Sequence, residues 1–382
     1  MKRARFNALV AGGAIAAAAS SASRVLAAEG PVRIGVIGSL TGGASTYGVA
    51  EQDGIQLAAD ELNAKGGLLG RKIELVVRDD QADPSVATTA ALELAQSQKV
   101  VAIFGPIVNT AALAVARMSD QLKVPILGTL GATTPVVYPQ GTAGPPNPWV
   151  FRVLVSSPVQ VAALVAYGAS KGYKKWAIVY ENDAYGIPTV NDLQAALSRA
   201  GGAIVAREAI AIDATDATAQ ALAVKAANPD VILIWTIQSP ASKIVQALAR
   251  AGAKTPIFSA NAQVSPQFFQ LAGSLANGIV STALRSQYQS NARVDAFRNA
   301  YRSRFKIDPT LWSFCSYDAA RLYFEAVDKA RTDDPSAVRA QLEKTVYAGL
   351  TGRIVFTPKV HDGITAADVM IVRIENGKAV PA

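Results

Sequence analysis

Cysteine and histidine are almost missing from this sequence of 382 residues, which contains one of each, Cys315 and His361. A single cysteine excludes an internal disulfide, and the scarcity of both residue types argues against a zinc site. Cys315 lies in an aromatic run, where it is predicted to be a small buried hydrophobe. We therefore expect neither a metal nor another cofactor.

Long apolar runs are also lacking after residue 28, since none reaches the roughly 18 residues of a membrane-spanning helix. A strong charge of one sign is absent too. Four of the 37 basic residues fall within the first 28 positions, which leaves 33 basic against 29 acidic residues and a net charge of +4. This mild excess does not indicate a nucleic-acid partner. The length predicts two domains, each with its own core.

The N-terminal segment has the pattern of a secretory signal peptide. Lys2, Arg3 and Arg5 precede an apolar run rich in alanine and glycine that ends in Val25-Leu26-Ala27-Ala28. A charged start, an apolar centre and small residues at the end are typical of a cleaved signal. Residues 1–28 are therefore predicted to be removed, leaving an exported, soluble chain that begins near Ala28 or Glu29.

Internal repetition is the most informative signal in the remainder of the chain. Strand-like apolar runs alternate with helical patterns, which is typical of a parallel sheet with helices on both faces. "RIGVIGSLTGGASTYG" and "KWAIVYENDAYG" each run from a strand through a polar loop to Tyr-Gly, so that Tyr47 and Tyr185 are 138 positions apart. Pro125 and Pro256, after the next similar runs, are 131 apart. The sequence thus predicts two similar α/β lobes.

Loops that follow parallel strands meet at one edge of the sheet, where open α/β proteins bind their ligands. Two facing lobes would bring six such loops to one cleft. These loops are 39–47, 105–110 and 129–134 from the first lobe and 181–185, 236–239 and 260–263 from the second.

Catalytic motifs are incomplete. "YGASK" at 167–171 matches the Tyr-x-x-x-Lys of short-chain dehydrogenases, but Thr46 stands where their cofactor loop needs glycine. "GASKG" at 168–172 fits Gly-x-Ser-x-Gly, yet it follows a predicted helix over 158–168, whereas a nucleophile elbow follows a strand. The sequence therefore indicates a protein that is not an enzyme, with a dehydrogenase as the distant alternative.

The segments "SLTGGASTYG", "AADELNAKGGLLGRKIELVVRDDQADPS", "AIFGPIVNTAALAVA", "VPILGT", "YENDAYG" and "LTGRIVFTPKVHDG" resemble the type I solute-binding proteins of ABC importers, in particular the leucine/isoleucine/valine-binding family. The resemblance implies a periplasmic monomer that closes two lobes on a small ligand and delivers it to an inner-membrane permease. It also implies three crossovers, with residues 29–150 and 283–355 in the N-terminal lobe and 151–282 and 356–382 in the C-terminal lobe. A periplasmic sensor subunit is the alternative function.

By the same resemblance, a ligand carboxylate is held by loops that match Val108-Asn109-Thr110 and Gly131-Ala132-Thr133. A helix predicted to begin near Asn109 agrees with this expectation, because free N–H groups at a helix start favour an anion. The resemblance further implies that Tyr47 and Tyr185 close over the ligand. The predicted ligand-binding residues are Tyr47, Asn109, Thr110, Gly131, Thr133, Tyr185, Thr236, Gln238 and Asn261.

The nature of the ligand is less defined. Family members that bind α-amino acids place a carboxylate against the ammonium, and Asn261 stands at the matching position. An ammonium buried without a counter-charge is costly, so the sequence favours an amide or an aromatic or aliphatic carboxylate over an amino acid. Glu181 or Asp183 could supply the missing charge, although acids in such a loop are as often solvated or used as helix caps.

Overall fold

Strands and helices alternate along the chain and form two large sheets. The structure is a computed structural model and describes residues 30–382, so the predicted signal peptide lies outside the described residues. The strands are β1 Val32–Gly38, β2 Ile73–Asp79, β3 Ile103–Phe104, β4 Ile126–Gly128, β5 Val150–Arg152, β6 Lys175–Glu181, β7 Ala203–Ile210, β8 Val231–Trp235, β9 Ile257–Ser259, β10 Val280–Leu284, β11 Val346–Ala348, β12 Arg353–Val355, β13 Val369–Glu375 and β14 Lys378–Pro381.

Helices cover both faces of each sheet, as expected for buried parallel strands. The α-helices are α1 Ser45–Asn63, α2 Pro84–Leu92, α3 Asn109–Arg117, α4 Ser119–Leu122, α5 Thr134–Val137, α6 Ser157–Ser170, α7 Gly186–Ala200, α8 Thr218–Ala226, α9 Gln238–Arg250, α10 Pro266–Ala272, α11 Ala292–Phe305, α12 Leu311–Ala330 and α13 Pro335–Leu342. A π-helical turn, Glu93–Ser97, extends α2, and short 3-10 turns cover Asn261–Gln263, Gly273–Ala276, Arg285–Tyr288 and Ala366–Asp368.

The two large sheets share one topology, which confirms the predicted repeat. The first has the order β2-β1-β3-β4-β5, and the second contains β7-β6-β8-β9-β10 followed by antiparallel β13 and β14. In both, the first strand of the lobe lies between the second and the third. The strand order reverses beside β1 in one lobe and beside β6 in the other, and ligands of open α/β sheets bind at such points.

Backbone contacts repeat along with the topology. The Ile103 N–H donates to the Pro125 carbonyl, and the Ile232 N–H donates to the Pro256 carbonyl, each at 2.9 Å. These bonds join the third and fourth strands of each lobe at matching places. The separation of the two prolines in the sequence therefore reports a real structural equivalence.

Local signals in the sequence also correspond to the observed elements. "VILIW" forms β8, and all five of its residues are buried. Asp83 caps α2 by accepting hydrogen bonds from the N–H groups of Ser85 and Val86. The predicted helix over 158–168 lies within α6. These features depend on short-range chemistry, which explains why they can be predicted from the sequence.

The chain passes between the lobes three times. After β5 it enters the second sheet through α6, after β10 it returns to place α12 against α1, and after β12 it goes back to β13. Two of the predicted lobe boundaries fall inside strands: residues 150–152 all pair in the first sheet, and residues 280–284 all pair in the second. The assignment of residues to lobes beyond these strands stays a prediction.

The single cysteine and histidine are both buried. Cys315 lies inside α12, and burial raises the pKa of its thiol. His361 stacks on the Phe151 ring, with a centroid distance of 4.1 Å, and its Nδ1 lies 2.9 Å from the Val150 carbonyl oxygen. Burial lowers the pKa of this imidazole to about 4. Among the described residues, no helix combines the length and apolar character needed to cross a membrane.

Candidate functional site

The loops after the strands of both lobes enclose a cleft, as their positions in the sequence predict. The cleft holds about 600 Å³ of space, part of it open to solvent. Its lining residues are Ala44, Tyr47, Ile107, Val108, Asn109, Ala132, Leu154, Glu181, Asp183, Tyr185, Ile212, Ile237, Asn261, Ala262 and Trp312. Most of these are apolar or aromatic, and none is lysine, arginine or histidine.

The first-lobe face of the cleft presents hydrogen-bond donors. Helix α3 begins at Asn109, and no side chain caps it. The first N–H groups of a helix have no carbonyl acceptor within the helix, and its dipole adds partial positive charge there. Because Val108 and Asn109 both line the cleft, this end of α3 lies against the ligand space.

The side chain of Asn109 adds a further donor. Its Oδ1 accepts hydrogen bonds from the backbone N–H and the hydroxyl of Thr133, both at 3.1 Å. A backbone N–H can only donate, so this contact identifies the amide oxygen and leaves Nδ2 as the other group. Within residues 30–382 this Nδ2 has no hydrogen-bond partner. The Asn109 amide can therefore donate to a ligand oxygen.

The second-lobe face presents carboxylates. Glu181 ends β6 and is almost fully buried, and its Oε2 accepts from the Thr236 hydroxyl at 2.7 Å and the Ile237 N–H at 3.2 Å. Oδ1 of Asp183 accepts from the N–H groups of Tyr185 and Gly186 at the start of α7. Burial, and then the charge of Asp183, raise the pKa of Glu181. This wall of the cleft is therefore an acceptor surface that lacks a protein cation among its lining residues.

The two repeated tyrosines reach the cleft from different lobes. Both line the cleft and are nearly buried, and the hydroxyl of Tyr47 donates to Oε1 of Gln238 in the opposite lobe. A second bond across the cleft joins the hydroxyl of Thr46 to Oε1 of Gln267 at 3.1 Å. Burial raises the pKa of both tyrosine hydroxyls, which are therefore protonated donors. The structure thus has its lobes bonded to each other.

Four of the predicted ligand-binding residues line the cleft: Tyr47, Asn109, Tyr185 and Asn261. The other five are not among the lining residues. Thr133, Thr236 and Gln238 are buried and bonded to lining residues, and the Gly131 carbonyl accepts from Arg152. Thr110 is half-buried in the first turn of α3. Which of the nine predicted residues touch the ligand stays a prediction.

Part of the site has no signal in the sequence. Trp312 at the start of α12 packs against the Tyr47 ring, with a centroid distance of 4.4 Å, although it is 265 positions away along the chain. No local pattern points to that contact. Glu181 and Asp183 are only alternatives in the sequence, but both lie in the same wall as Asn261. The cleft that Asn261 lines therefore contains two carboxyl groups from elsewhere in the second lobe, and the choice between an amino acid and a ligand without an amine stays a prediction.

The catalytic motifs do not assemble into a site. Tyr167 packs against Phe258, Lys171 lies over the Tyr167 ring, and the Ser170 hydroxyl donates to the Tyr167 carbonyl at the end of α6. None of these three motif residues lines the cleft. In the part of the chain that the structure describes, no group of three or more His, Cys, Asp or Glu residues could hold a metal ion.

A comparison with known families identifies this architecture. The model of the family described as "Periplasmic binding protein" matches residues 31–379, nearly the whole described chain. The chain belongs to that family. Its members are solute-binding proteins rather than enzymes. Within it, this chain is of the type that serves as substrate-binding protein of branched-chain amino-acid-type ABC transporters.

Individual periplasmic binding proteins show the same relationship. Leu/Ile/Val-binding protein homolog 7 of Brucella abortus (strain 2308) is 26% identical over 338 residues, covering 85% of this chain and 84% of the relative. The type 1 periplasmic binding protein of Bordetella pertussis Tohama I has a TM-score of 0.87 at 28% identity, over 92% of this chain and all of that one. LivJ of Streptococcus pneumoniae, solved with isoleucine, has a TM-score of 0.80 at 24% identity, over 92% of this chain and all of that one.

Proposed function

We propose that the protein captures an α-amino acid with an apolar side chain in its inter-lobe cleft and delivers it to an ABC permease in the inner membrane. We further propose that it works as a periplasmic monomer. The observation that carries the ligand assignment is the opposite polarity of the two cleft faces. Donors lie on the first-lobe face at Asn109, and carboxylates lie on the second-lobe face at Glu181 and Asp183.

The charges of the cleft favour a zwitterion. Two carboxylates that face one cleft repel each other, and the lining residues include no cationic side chain to relieve them. A ligand ammonium beside Glu181 would supply the missing charge and lower the pKa of that carboxyl. A ligand carboxylate at the start of α3 would accept from free N–H groups and from Asn109.

The remaining lining accounts for an apolar ligand side chain. Trp312, Ile107, Leu154, Ile212 and Ile237 leave little polar surface between the two charged ends. Burying a leucine-sized side chain among such residues contributes about 1.5–3 kcal/mol. A branched-chain amino acid would therefore find donors for its carboxylate, carboxyl groups for its ammonium and apolar residues for its side chain.

An aromatic acid is the second candidate. A solute-binding protein of the same fold from Rhodopseudomonas palustris BisB5 was solved with 3,4-dihydroxy benzoic acid. In this chain, the raised pKa of Glu181 would allow its protonated form to donate to a ligand hydroxyl. Tyr47, Tyr185 and Trp312 offer aromatic contacts. The same cleft could also serve a sensor subunit, since the site chemistry is common to transport and sensing.

Calorimetry with leucine and 4-methylpentanoate, which is leucine without its amine, separates these candidates. We expect the wild type to prefer leucine, and Glu181→Gln to weaken leucine binding roughly 10- to 150-fold, because a hydrogen bond to a charged group contributes about 1.5–3 kcal/mol. Binding of 4-methylpentanoate should fall little. The control is Glu208→Gln on β7, in the same sheet but outside the cleft lining.

Two results would contradict the amino-acid assignment. One is a wild type that binds 4-methylpentanoate or 3,4-dihydroxybenzoate more tightly than leucine. The other is a Glu181→Gln variant that loses the same factor for leucine and 4-methylpentanoate, because the carboxylate would then not face the amine.

A further inference from the structure

A fully buried guanidinium lies where two of the three crossovers meet. Arg152 is the last residue of β5, at the point where the chain leaves the first sheet, and its side chain has no exposed surface. Asp362 lies in the segment between β12 and β13, which is another crossover. The Nε and Nη2 atoms of Arg152 donate to the two carboxylate oxygens of Asp362, at 2.6 and 2.8 Å. This is a bidentate pair between residues 210 positions apart.

The backbones of the two crossovers are joined at the same place. The Arg152 N–H donates to the His361 carbonyl, and the Gly363 N–H donates to the Arg152 carbonyl, each at 2.8 Å. These bonds form an isolated parallel bridge between Arg152 and Asp362. The two crossover segments, which together form the hinge, are therefore held to each other by main chain and side chain at one point.

The remaining face of the guanidinium reaches toward the cleft. Nη1 of Arg152 donates to the Gly131 carbonyl at 2.6 Å and to the Thr133 carbonyl at 2.8 Å. All three guanidinium nitrogens of Arg152 are thus engaged, two by the crossover and one by the loop after β4. Because the guanidinium is planar and rigid, it sets the position of that loop relative to Asp362.

The loop in turn orients the donor end of the cleft. Thr133 holds Oδ1 of Asn109 through its N–H and its hydroxyl, which leaves Nδ2 of Asn109 as the free donor. An unbroken series of hydrogen bonds therefore runs from Asp362 through Arg152 and Thr133 to Asn109. None of Asp362, Arg152 and Thr133 lines the cleft, whereas Asn109 does.

We propose that Arg152 and Asp362 are a positioning pair that couples the hinge to the carboxylate-binding end of the cleft. The pair holds the 131–133 loop so that Asn109 and the start of α3 present their donors to the ligand carboxylate only when the two crossovers are in their paired arrangement. The inference rests on the proposed function to the extent that the ligand carries a carboxylate, whether or not it carries an amine.

The test combines a protein change with a ligand change. Asp362→Asn keeps the size of the side chain but removes the charge that holds Arg152, and leucinamide keeps the ammonium of leucine but lacks its carboxylate. We expect Asp362→Asn to weaken leucine binding about 10-fold by calorimetry and to leave leucinamide binding within about 2-fold, since a bond to a charged group is the stronger one. The same contrast applies to benzoate and benzamide. Asp333→Asn is the control, because Asp333 pairs with Arg71 and lines no part of the cleft.

A loss of the same factor for leucine and leucinamide would overturn the inference, since a general loosening of the fold does not distinguish the ligands. Unchanged leucine binding in a folded Asp362→Asn variant would overturn it as well. A wild type that binds benzoate but not leucine contradicts the proposed amino-acid ligand alone, and the benzoate and benzamide pair then decides the inference. A wild type that binds neither acid contradicts both. Arg152→Lys, which keeps the charge but not the bidentate geometry, should reproduce the selective loss.

Discussion

The two lobes lead into their first helices in the same way. In each, a buried strand runs through a polar loop into a helix with Tyr-Gly at its start: Tyr47 and Gly48 lie in the first turn of α1, and Tyr185 and Gly186 are the N-cap and first residue of α7. A Cβ on Gly48 would overlap the backbone of Ser39, and a Cβ on Gly186 would overlap the backbone of Glu181. The close packing of helix start on strand end is therefore common to both lobes.

The acidic residues near these two turns are used differently. In the first lobe, Asp79 accepts from the Leu40 N–H and the Thr41 hydroxyl, so its charge holds the loop in place. In the second lobe, Glu181 and Asp183 belong to the loop itself and line the cleft. One framework thus presents donors on one side and acceptors on the other. The framework therefore sets where a loop lies, while the loop sequence sets its polarity.

The largest effect should follow from filling the two shared glycine positions. We expect Gly48→Ala and Gly186→Ala each to lower the free energy of unfolding by roughly 3 kcal/mol or more, because the added methyl group meets backbone that cannot rotate away. Urea denaturation measures the change. Gly43→Ala, where no atom lies within 4 Å, is the control. A large loss of unfolding free energy for only one of the two variants would show that the two helix starts do not pack equivalently on their strands.

A second prediction concerns a difference inside the matching helices. Glu51 of α1 is fully buried and its Oε1 accepts from the Thr129 N–H at 3.2 Å, whereas Thr189, 138 positions later, donates to its own helix. Burial raises the pKa of Glu51 from 4.5 to about 8. A folded state that holds a proton more tightly than the unfolded state loses stability as the pH rises. The contribution of Glu51 is therefore complete below pH 4.5, falls as the pH rises toward 8, and then levels.

The measurement is the free energy of unfolding between about pH 5 and pH 8. The wild type should lose up to ~1.4 kcal/mol per pH unit relative to Glu51→Gln, which cannot ionise. Thr189→Val is the matched control in the second lobe, and it should keep the pH dependence of the wild type. Parallel curves for wild type and Glu51→Gln would show that Glu51 ionises equally easily in the folded and unfolded chain.

The smallest of these effects concerns the two repeated tyrosines, Tyr47 and Tyr185. Tyr47→Phe leaves the buried Oε1 of Gln238 without its donor, which costs about 1–3 kcal/mol and should weaken ligand binding roughly 5- to 150-fold. Within the described chain the Tyr185 hydroxyl has no partner, so Tyr185→Phe should cost less. Calorimetry gives the affinities. Small-angle scattering should show a smaller radius of gyration with ligand, and a larger one for unliganded Tyr47→Phe than for unliganded wild type. Equal losses for both variants would mean that the bond to Gln238 does not favour closure.

The fold can be predicted from the sequence because the sequence signals for strands, helices and turns are local and periodic. A continuous apolar run such as "VILIW" is suited to a strand covered on both faces, and Asp83 before Pro84 is a helix start by its own chemistry. Repetition of such units at nearly constant spacing then predicts two lobes with the same topology. The loops that surround the cleft follow from that topology, since ligands bind beyond the strand ends of parallel sheets.

The chemistry of the cleft was decided only by the tertiary structure. The sequence predicts Thr236 and Gln238 near the ligand, but it does not indicate that the Thr236 hydroxyl donates to Glu181 or that Oε1 of Gln238 accepts from the Tyr47 hydroxyl. Trp312 reaches the cleft from α12, and Arg152 finds its partner 210 positions away. A strand or helix needs only its own residues to satisfy its backbone and apolar face. The direction of a polar side chain at the end of that element depends on donors and acceptors supplied by distant segments, which only the folded chain brings together.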